Sequence, residues 1–212
     1  MFQPALALLL SYLLGAVPFG WVLVRVVKGE DLRRKGSGNI GATNAMRALG
    51  RPLGLLAFLC DFGKGLVPVA FIAPALSGGF DPGWQRVLCG AAAVAGHVWP
   101  VYLGFKGGKA VATGCGAIVG IDPWIFVAGG LVWLAVLFAT RFVSLASVAM
   151  GLAFPVAAAL RRSPERYGME VVVGTGALAL LILVRHRSNL RRLAAGTEPR
   201  VGRRSQREAH GR

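Results

Sequence analysis

The chain has 212 residues, 55% of them hydrophobic and 16% charged, with a formal net charge of +15. Several apolar runs approach the ~20 residues needed to cross a hydrocarbon layer of ~30 Å, which excludes a soluble globular protein. The cations sit between those runs and in the C-terminal tail rather than over one face. They point to membrane topology and anionic lipid, and away from nucleic acid.

The first apolar segment covers residues 3–26 and is broken in character only by Ser11 and the Pro18-Phe19-Gly20 stretch. Its positive charge follows the apolar run, unlike the basic n-region of a secretory signal. Residues 28–50 form a polar loop centred on Gly36-Ser37-Gly38-Asn39-Ile40-Gly41-Ala42-Thr43-Asn44. Glycines there let backbone N–H groups turn toward one point, and small hydroxyl and amide side chains add donors without bulk. Arg33, Arg34, Lys35, Arg47 and Arg51 flank it. That chemistry suits phosphate, although a flexible glycine loop joining two helices has the same composition. Asn44 is placed to cap a short helix over 45–49, ended by Gly50 and Pro52.

Residues 52–76 are apolar again except for Asp61 and Lys64, three apart on one helix face, where an internal ion pair is the simplest reading. A Gly/Asp/Pro turn at 77–84 leads to a span over 87–105 that contains Gly96-His97 and Pro100. Lys106-Gly107-Gly108-Lys109 is a second glycine turn, bracketed by lysines. Residues 110–121 are apolar but short for a crossing, so they must tilt, thin the bilayer or pack deep in protein. Asp122-Pro123 turns the chain; 124–140 crosses, Arg141 punctuates, 142–160 crosses with Ser144 and Ser147, 161–166 is a loop, and 171–184 crosses. From Arg185 the chain is polar and basic.

The expectation is an all-α integral membrane protein of about seven transmembrane helices, with the N-terminus outside and the C-terminus cytoplasmic by the positive-inside rule. Residues 1–198 form one transmembrane domain, and 199–212 a basic, disordered tail. Arg161, Arg162 and Arg166 offend the rule but are outnumbered. Both glycine turns, Arg141 and the tail then meet on the cytoplasmic face. Cys60, Cys89 and Cys115 fall in or beside apolar segments and read as buried thiols. No C-x-x-C or His-x-x-x-His spacing suggests a metal, and no cofactor is expected.

The cytoplasmic face is poor in carboxylates, so a paired-carboxylate acid/base site is not expected. Neither His97 nor His186 is followed five residues later by Asp; Tyr102 and Arg191 stand there. What remains is electrostatic chemistry: hold anionic groups with N–H donors, lysine and arginine, and let a good leaving group depart.

Three motifs in order carry a resemblance. They are residues 36–44 with Arg47; Gly96-His97 to Pro100 continuing through Phe105-Lys106-Gly107-Gly108-Lys109 to Thr113; and Arg185-His186-Arg187-Ser188-Asn189 through Glu198. Over residues 11–198 the chain resembles the bacterial acyl-phosphate:glycerol-3-phosphate acyltransferases, the PlsY family. It departs mildly, with Leu190 where isoleucine is usual and Ala16 where serine is common. The resemblance implies transfer of a fatty acyl group from acyl phosphate to the 1-hydroxyl of sn-glycerol 3-phosphate in the bacterial inner membrane. It also implies functional coupling to the enzyme that supplies acyl phosphate. Carried over by position, Ser37, Arg47, Lys106, His186 and Asn189 would be catalytic. Gly36, Gly38, Asn39, Gly41, Thr43, Asn44, His97, Gly107, Gly108, Lys109 and Ser144 would bind substrate. For His97 a packed histidine stays open, and for Ser144 a bond to the carbonyl one turn back.

Two other classes fit parts of the pattern. A small anion transporter would also have broken apolar segments and internal cations, but it would place them near the midplane, and no inverted repeat of the glycine motif is visible. A membrane anchor recruiting acidic partners would account for the basic tail and leave the three motifs without a role.

Overall fold

The computed structural model describes residues 2–163 and 167–202. Arg166 and the tail beyond 202 lie outside the described residues. Helix α1 (Phe2–Ala16) stops before Pro18, which disfavours helical geometry at the residue preceding it, and α2 (Phe19–Lys28) resumes directly. Gly29, at φ +68°, closes α2 by returning its N–H to the Arg25 carbonyl. Helix α3 (Ala42–Leu49) begins three residues before the expected 45–49, with Gly41 rather than Asn44 at its cap. Gly50 (φ +84°) separates it from α4 (Arg51–Val67), which runs through a π turn at Pro68–Ile72 into α5 (Ala73–Ala75).

Asp81 and Asp122 open the next polar-to-apolar transitions. Asp81 accepts from the Trp84 N–H (2.8 Å) and starts α6 (Pro82–Val98); Asp122 accepts from the Trp124 N–H (2.9 Å) and starts α8 (Pro123–Thr140). Each cap precedes a proline, whose missing N–H costs nothing at the first helical position. Between them lies α7 (Val111–Ile121). Arg141, in left-handed geometry at φ +61°, turns the chain into α9 (Val143–Arg161), and α10 (Met169–Arg185) bends by 53° into α11 (Arg187–Ala194). Sequence reading expected no helix at α11.

Among the described residues five helices are long and apolar enough to span a membrane, and the bent α10–α11 pair, taken as one span, makes a sixth. The seventh apolar segment, α7, has 11 residues. It covers roughly 16 Å, about half a hydrocarbon layer. Of the alternatives open for 110–121, packing deep in protein is what is found: Thr113 to Ile118 are all buried, with α4, α6, α8 and α10 around them. A β-carbon on Gly65 of α4 would lie 1.9 Å from the Thr113 carbonyl oxygen, and one on Gly116 of α7 would lie 1.9 Å from that of Phe62. Backbones touch there, which in a membrane replaces the hydrophobic drive absent between lipid-bathed helices. Helix α8 buries only Ile125 and Gly129 and is apolar all round, as a lipid-facing helix is.

The Asp61–Lys64 pair is present, at 2.7 Å and with both side chains buried. Cys89 and Cys115 are buried and Cys60 half-buried, all free thiols. The polar ends sort into two groups. Asp81, Asp122, Arg161 and Glu170 gather at one end of the bundle, where Arg161 Nε donates to Asp122 Oδ2 at 2.9 Å. The glycine loop, the Gly107–Lys109 turn and α11 gather at the other.

Candidate active site

The glycine loop is folded by its own side chains. Asn44 is buried within the first turn of α3; its Oδ1 accepts the Ser37 N–H (3.1 Å), and its Nδ2 donates to the carbonyls of Leu32, Lys35 and Asn39. Asn39 Oδ1 in turn accepts the Gly41 N–H (2.8 Å), and the Gly38 N–H goes to the Lys35 carbonyl. Asn44 therefore clasps the loop and has no amide group left for a ligand. The amides of Ser37, Gly38 and Gly41 are likewise consumed inside the loop. The side chains of Ser37 and Asn39 remain at the surface of the cavity, and the first N–H groups of α3, at Ala42 and Thr43, have no intrahelical acceptor.

The second turn is held on both edges. The N–H groups of Gly107 and Gly108 donate to the Val98 and His97 carbonyls (3.2 and 3.0 Å), capping α6. Their own carbonyls accept from Arg185, 3.1 Å each. Gly107 and Gly108 thus shape the turn with all four backbone polar groups engaged. His97 is buried beneath it and does not line the cavity.

Lys109 enters the cavity from the turn and donates to Asn189 Oδ1 on α11. Asn189 Nδ2 donates to Glu198 Oε1 (2.7 Å), which also accepts from the Ser144 hydroxyl (2.7 Å), while Arg192 Nε reaches Glu198 Oε2 at 2.8 Å. Ser144 bonds neither a carbonyl one turn back nor the cavity. The neighbouring Ser147 is the one that donates to its own helix, at Val143. Beyond Glu198 the chain stays against the α8–α9 turn, with the Val201 N–H on the Arg141 carbonyl (2.9 Å) and Arg200 over the Phe142 ring.

These elements enclose a cavity of about 340 Å³ lined by Ser37, Gly38 and Asn39 from the first loop and Gly107 and Lys109 from the second. Val184, Arg185, Arg187, Ser188, Asn189 and Arg192 complete it from the α10–α11 bend. Among the described residues no carboxylate lines it. Burial pushes the Lys109 ammonium down to about 8, aided by repulsion from Arg192, Arg47 and Arg185 and opposed by Glu198. Burial pushes the Glu198 carboxyl up, but hydrogen bonds from Asn189, Ser144 and Arg192 outweigh it and hold the group below the usual range. Such a hollow selects anions and stabilises negative charge developing on them.

Of the other expected residues, Arg47, Thr43 and Lys106 are exposed near the mouth and do not line it. His186 is buried at the bend, with Nδ1 donating to the Ile182 carbonyl (2.8 Å), and it too stays off the lining. Arg185, Arg187, Ser188, Arg192 and Glu198 fall within the third sequence motif but were assigned no role from sequence. The available signal for Glu198 was a single acid following four arginines in fourteen residues (185–198). Among the described residues no cluster of His, Cys, Asp or Glu is fit to hold a metal.

Residues 5–196 match the glycerol-3-phosphate acyltransferase family model. The chain is 46% identical over 197 residues to the glycerol-3-phosphate acyltransferase of Synechococcus sp. strain CC9902, covering 93% of this chain and 94% of that one. It is 42% identical over 191 residues to that of Geobacter sulfurreducens, covering 90% and 93%. It is similar in structure to PlsY (YgiH), an integral membrane glycerol 3-phosphate acyltransferase. The glycerol 3-phosphate form gives a TM-score of 0.84 at 36% identity over 99% of both chains. The lysophosphatidic acid form gives 0.81 at 35% identity over 94% and 95%.

Proposed function

This chain belongs to the glycerol-3-phosphate acyltransferase family, and we propose that it moves a fatty acyl group from acyl phosphate to the 1-hydroxyl of sn-glycerol 3-phosphate, releasing lysophosphatidic acid and phosphate. It is an acyltransferase of phospholipid synthesis and an integral membrane protein. The observation that carries the finer reading is the cavity itself: among the described residues its lining has four cationic side chains, two serines and two asparagines and no carboxylate. Both proposed substrates are phosphates, and the related PlsY was crystallised in glycerol 3-phosphate and lysophosphatidic acid forms.

In the proposed reaction the 1-hydroxyl oxygen attacks the acyl carbonyl carbon, a new C–O bond forms, and the carbon–oxygen bond to phosphate breaks. Lys109, Arg185, Arg187 and Arg192 hold the two phosphates and offset charge on the tetrahedral oxyanion, with Ser37 and Asn189 as neutral donors. Arg47 and Lys106 at the mouth close on the bound anion. The hydroxyl proton goes to a phosphate oxygen, whose second pKa is near 6. His186 suits that task less, because its ring is off the lining and Nδ1 is committed. A mixed anhydride is already activated, so no acyl-enzyme is needed. The loops face the cytoplasm in this reading, as their excess of lysine and arginine requires. The test is purified protein with acyl phosphate and labelled glycerol 3-phosphate. Labelled lysophosphatidic acid is expected, and product formed only with an acyl thioester would overturn the donor.

A further inference from the structure

Asp61 and Lys64 lie one turn apart on α4, at membrane depth and away from the cavity. Their 2.7 Å ion pair is wholly buried, a costly arrangement that well-packed apolar residues replace without loss in many proteins. The pair has two arms. Lys64 Nζ donates to the Val17 carbonyl (2.7 Å), at the break between α1 and α2, and sits 5.7 Å from the Phe19 ring centroid. One residue on, Gly20 packs so closely on the glycine loop that a β-carbon would lie 2.4 Å from the Ile40 carbonyl oxygen. Ile40 adjoins Asn39, which lines the cavity.

The other arm starts at Asp61 Oδ1, 3.7 Å from His97 Nδ1. Both atoms are buried, and His97 Nδ1 makes no hydrogen bond among the described residues. The His97 carbonyl accepts the Gly108 N–H, and a β-carbon on Gly108 would lie 2.1 Å from His97 Nε2. Gly108 is held from its far side by Arg185 and is followed by Lys109, both cavity residues. A contiguous path therefore runs from Asn39 through Gly20, Val17, Lys64, Asp61 and His97 to the turn that carries Lys109.

We infer that the buried Asp61–Lys64–His97 cluster positions the two loops of the cavity relative to each other, one arm setting the glycine loop and the other the Gly107–Gly108 turn. The inference rests on the function proposed above. None of the three residues touches the cavity, so they are positioning residues. Loops that drift by about 1 Å cost up to about 100-fold in rate or affinity.

The test uses the full chain in detergent. Asp61→Leu/Lys64→Met removes both charges together, so neither is left unpaired. Its thermal midpoint is expected to stay near that of the unmutated protein, while KM for glycerol 3-phosphate rises about ten-fold and kcat changes less than threefold. Equilibrium binding of labelled glycerol 3-phosphate should weaken in parallel, which a merely structural role would not produce in folded protein. A cycle tests the other arm: Gly108→Ala drives a methyl into the His97 ring and lowers catalytic efficiency, and His97→Ala/Gly108→Ala restores at least ten-fold of it. Unchanged constants in the first variant, or additive losses in the cycle, overturn the inference. If the first variant does not fold, the cycle alone decides. Unmutated protein that makes no lysophosphatidic acid counts against the function, whereas normal turnover with unaffected variants counts against the cluster alone.

Discussion

Lys109 gives the proposed phosphate site a measurable pH signature. Burial penalises its charged form, so it releases its proton near pH 8 rather than in the usual lysine range near 10.4. The other cavity cations are arginines, charged throughout any usable range, and the phosphate of glycerol 3-phosphate is dianionic above about pH 7. Between pH 7 and 9 the one titrating partner is then Lys109. Its charged fraction falls from roughly nine-tenths to one-tenth. Apparent affinity scales with the competent fraction, so Kd for glycerol 3-phosphate should rise about ten-fold across that window. The bound dianion pulls the proton back, and calorimetry at pH 9 in two buffers of different ionisation enthalpy should report uptake of most of one proton. Lys109→Met should flatten the profile and weaken binding about ten- to hundred-fold, the span of one charge-assisted hydrogen bond of about 1.5–3 kcal/mol. A Kd that stays constant from pH 7 to 9, with no proton uptake, refutes the placement of Lys109 against the phosphate.

Glu198→Gln should lower kcat/KM about ten-fold, because Arg192 loses its charged partner and Asn189, which orients Lys109, loses a fixed acceptor. The native carboxyl is held low, so its stabilising contribution is full above about pH 4.3 and drains as pH falls below it; acid unfolding of the variant should lack that step. A protein with Cys60, Cys89 and Cys115 all changed to alanine should stay active, and reciprocal plots in both substrates should intersect; parallel lines with acyl group surviving on denatured protein would establish an acyl-enzyme. Cysteine introduced at Ser37 should react with an impermeant thiol reagent only from the cytoplasmic side and cysteine at Ser163 only from outside; reaction of both from one side would refute the proposed topology.

What was legible in the sequence was local or compositional. Apolar runs marked the helices because lipid demands them, Pro18 marked the α1–α2 break, and the spacing of Asp61 and Lys64 put both on one face. The three motifs were legible as order along the chain. What escaped were side-chain bonds that depend on the path between distant segments. Asn44 looked like a cap because asparagine before an apolar stretch usually is one, but its amide finds carbonyls 5 to 12 residues back once the loop curls over it. Ser144 and Glu198 meet across 54 positions, and nothing local in either announces the other. His97 sat inside a motif, and nothing local in that motif announced that Asp61 on another helix lies 3.7 Å from its ring. The exposed Lys106 and half-buried Lys109 are indistinguishable in a lysine-glycine-glycine-lysine run until the α6 carbonyls fix which one turns inward.

Helix α7 is too short to reach both surfaces of a bilayer, so the turn before it and Asp122 after it cannot both lie at a water boundary. In that turn Gly108 and Ala110 are buried while Phe105 and Lys106 just before them are exposed, so the hollow at Lys109 is recessed below that rim. A polar hollow sunk below the surface changes what has to move. Lifting a sixteen-carbon chain into water would cost about 0.8 kcal/mol per methylene, or about 12 kcal/mol in all. With the hollow sunk, the small soluble phosphate descends to the lipid, and the chain keeps its neighbours throughout the reaction.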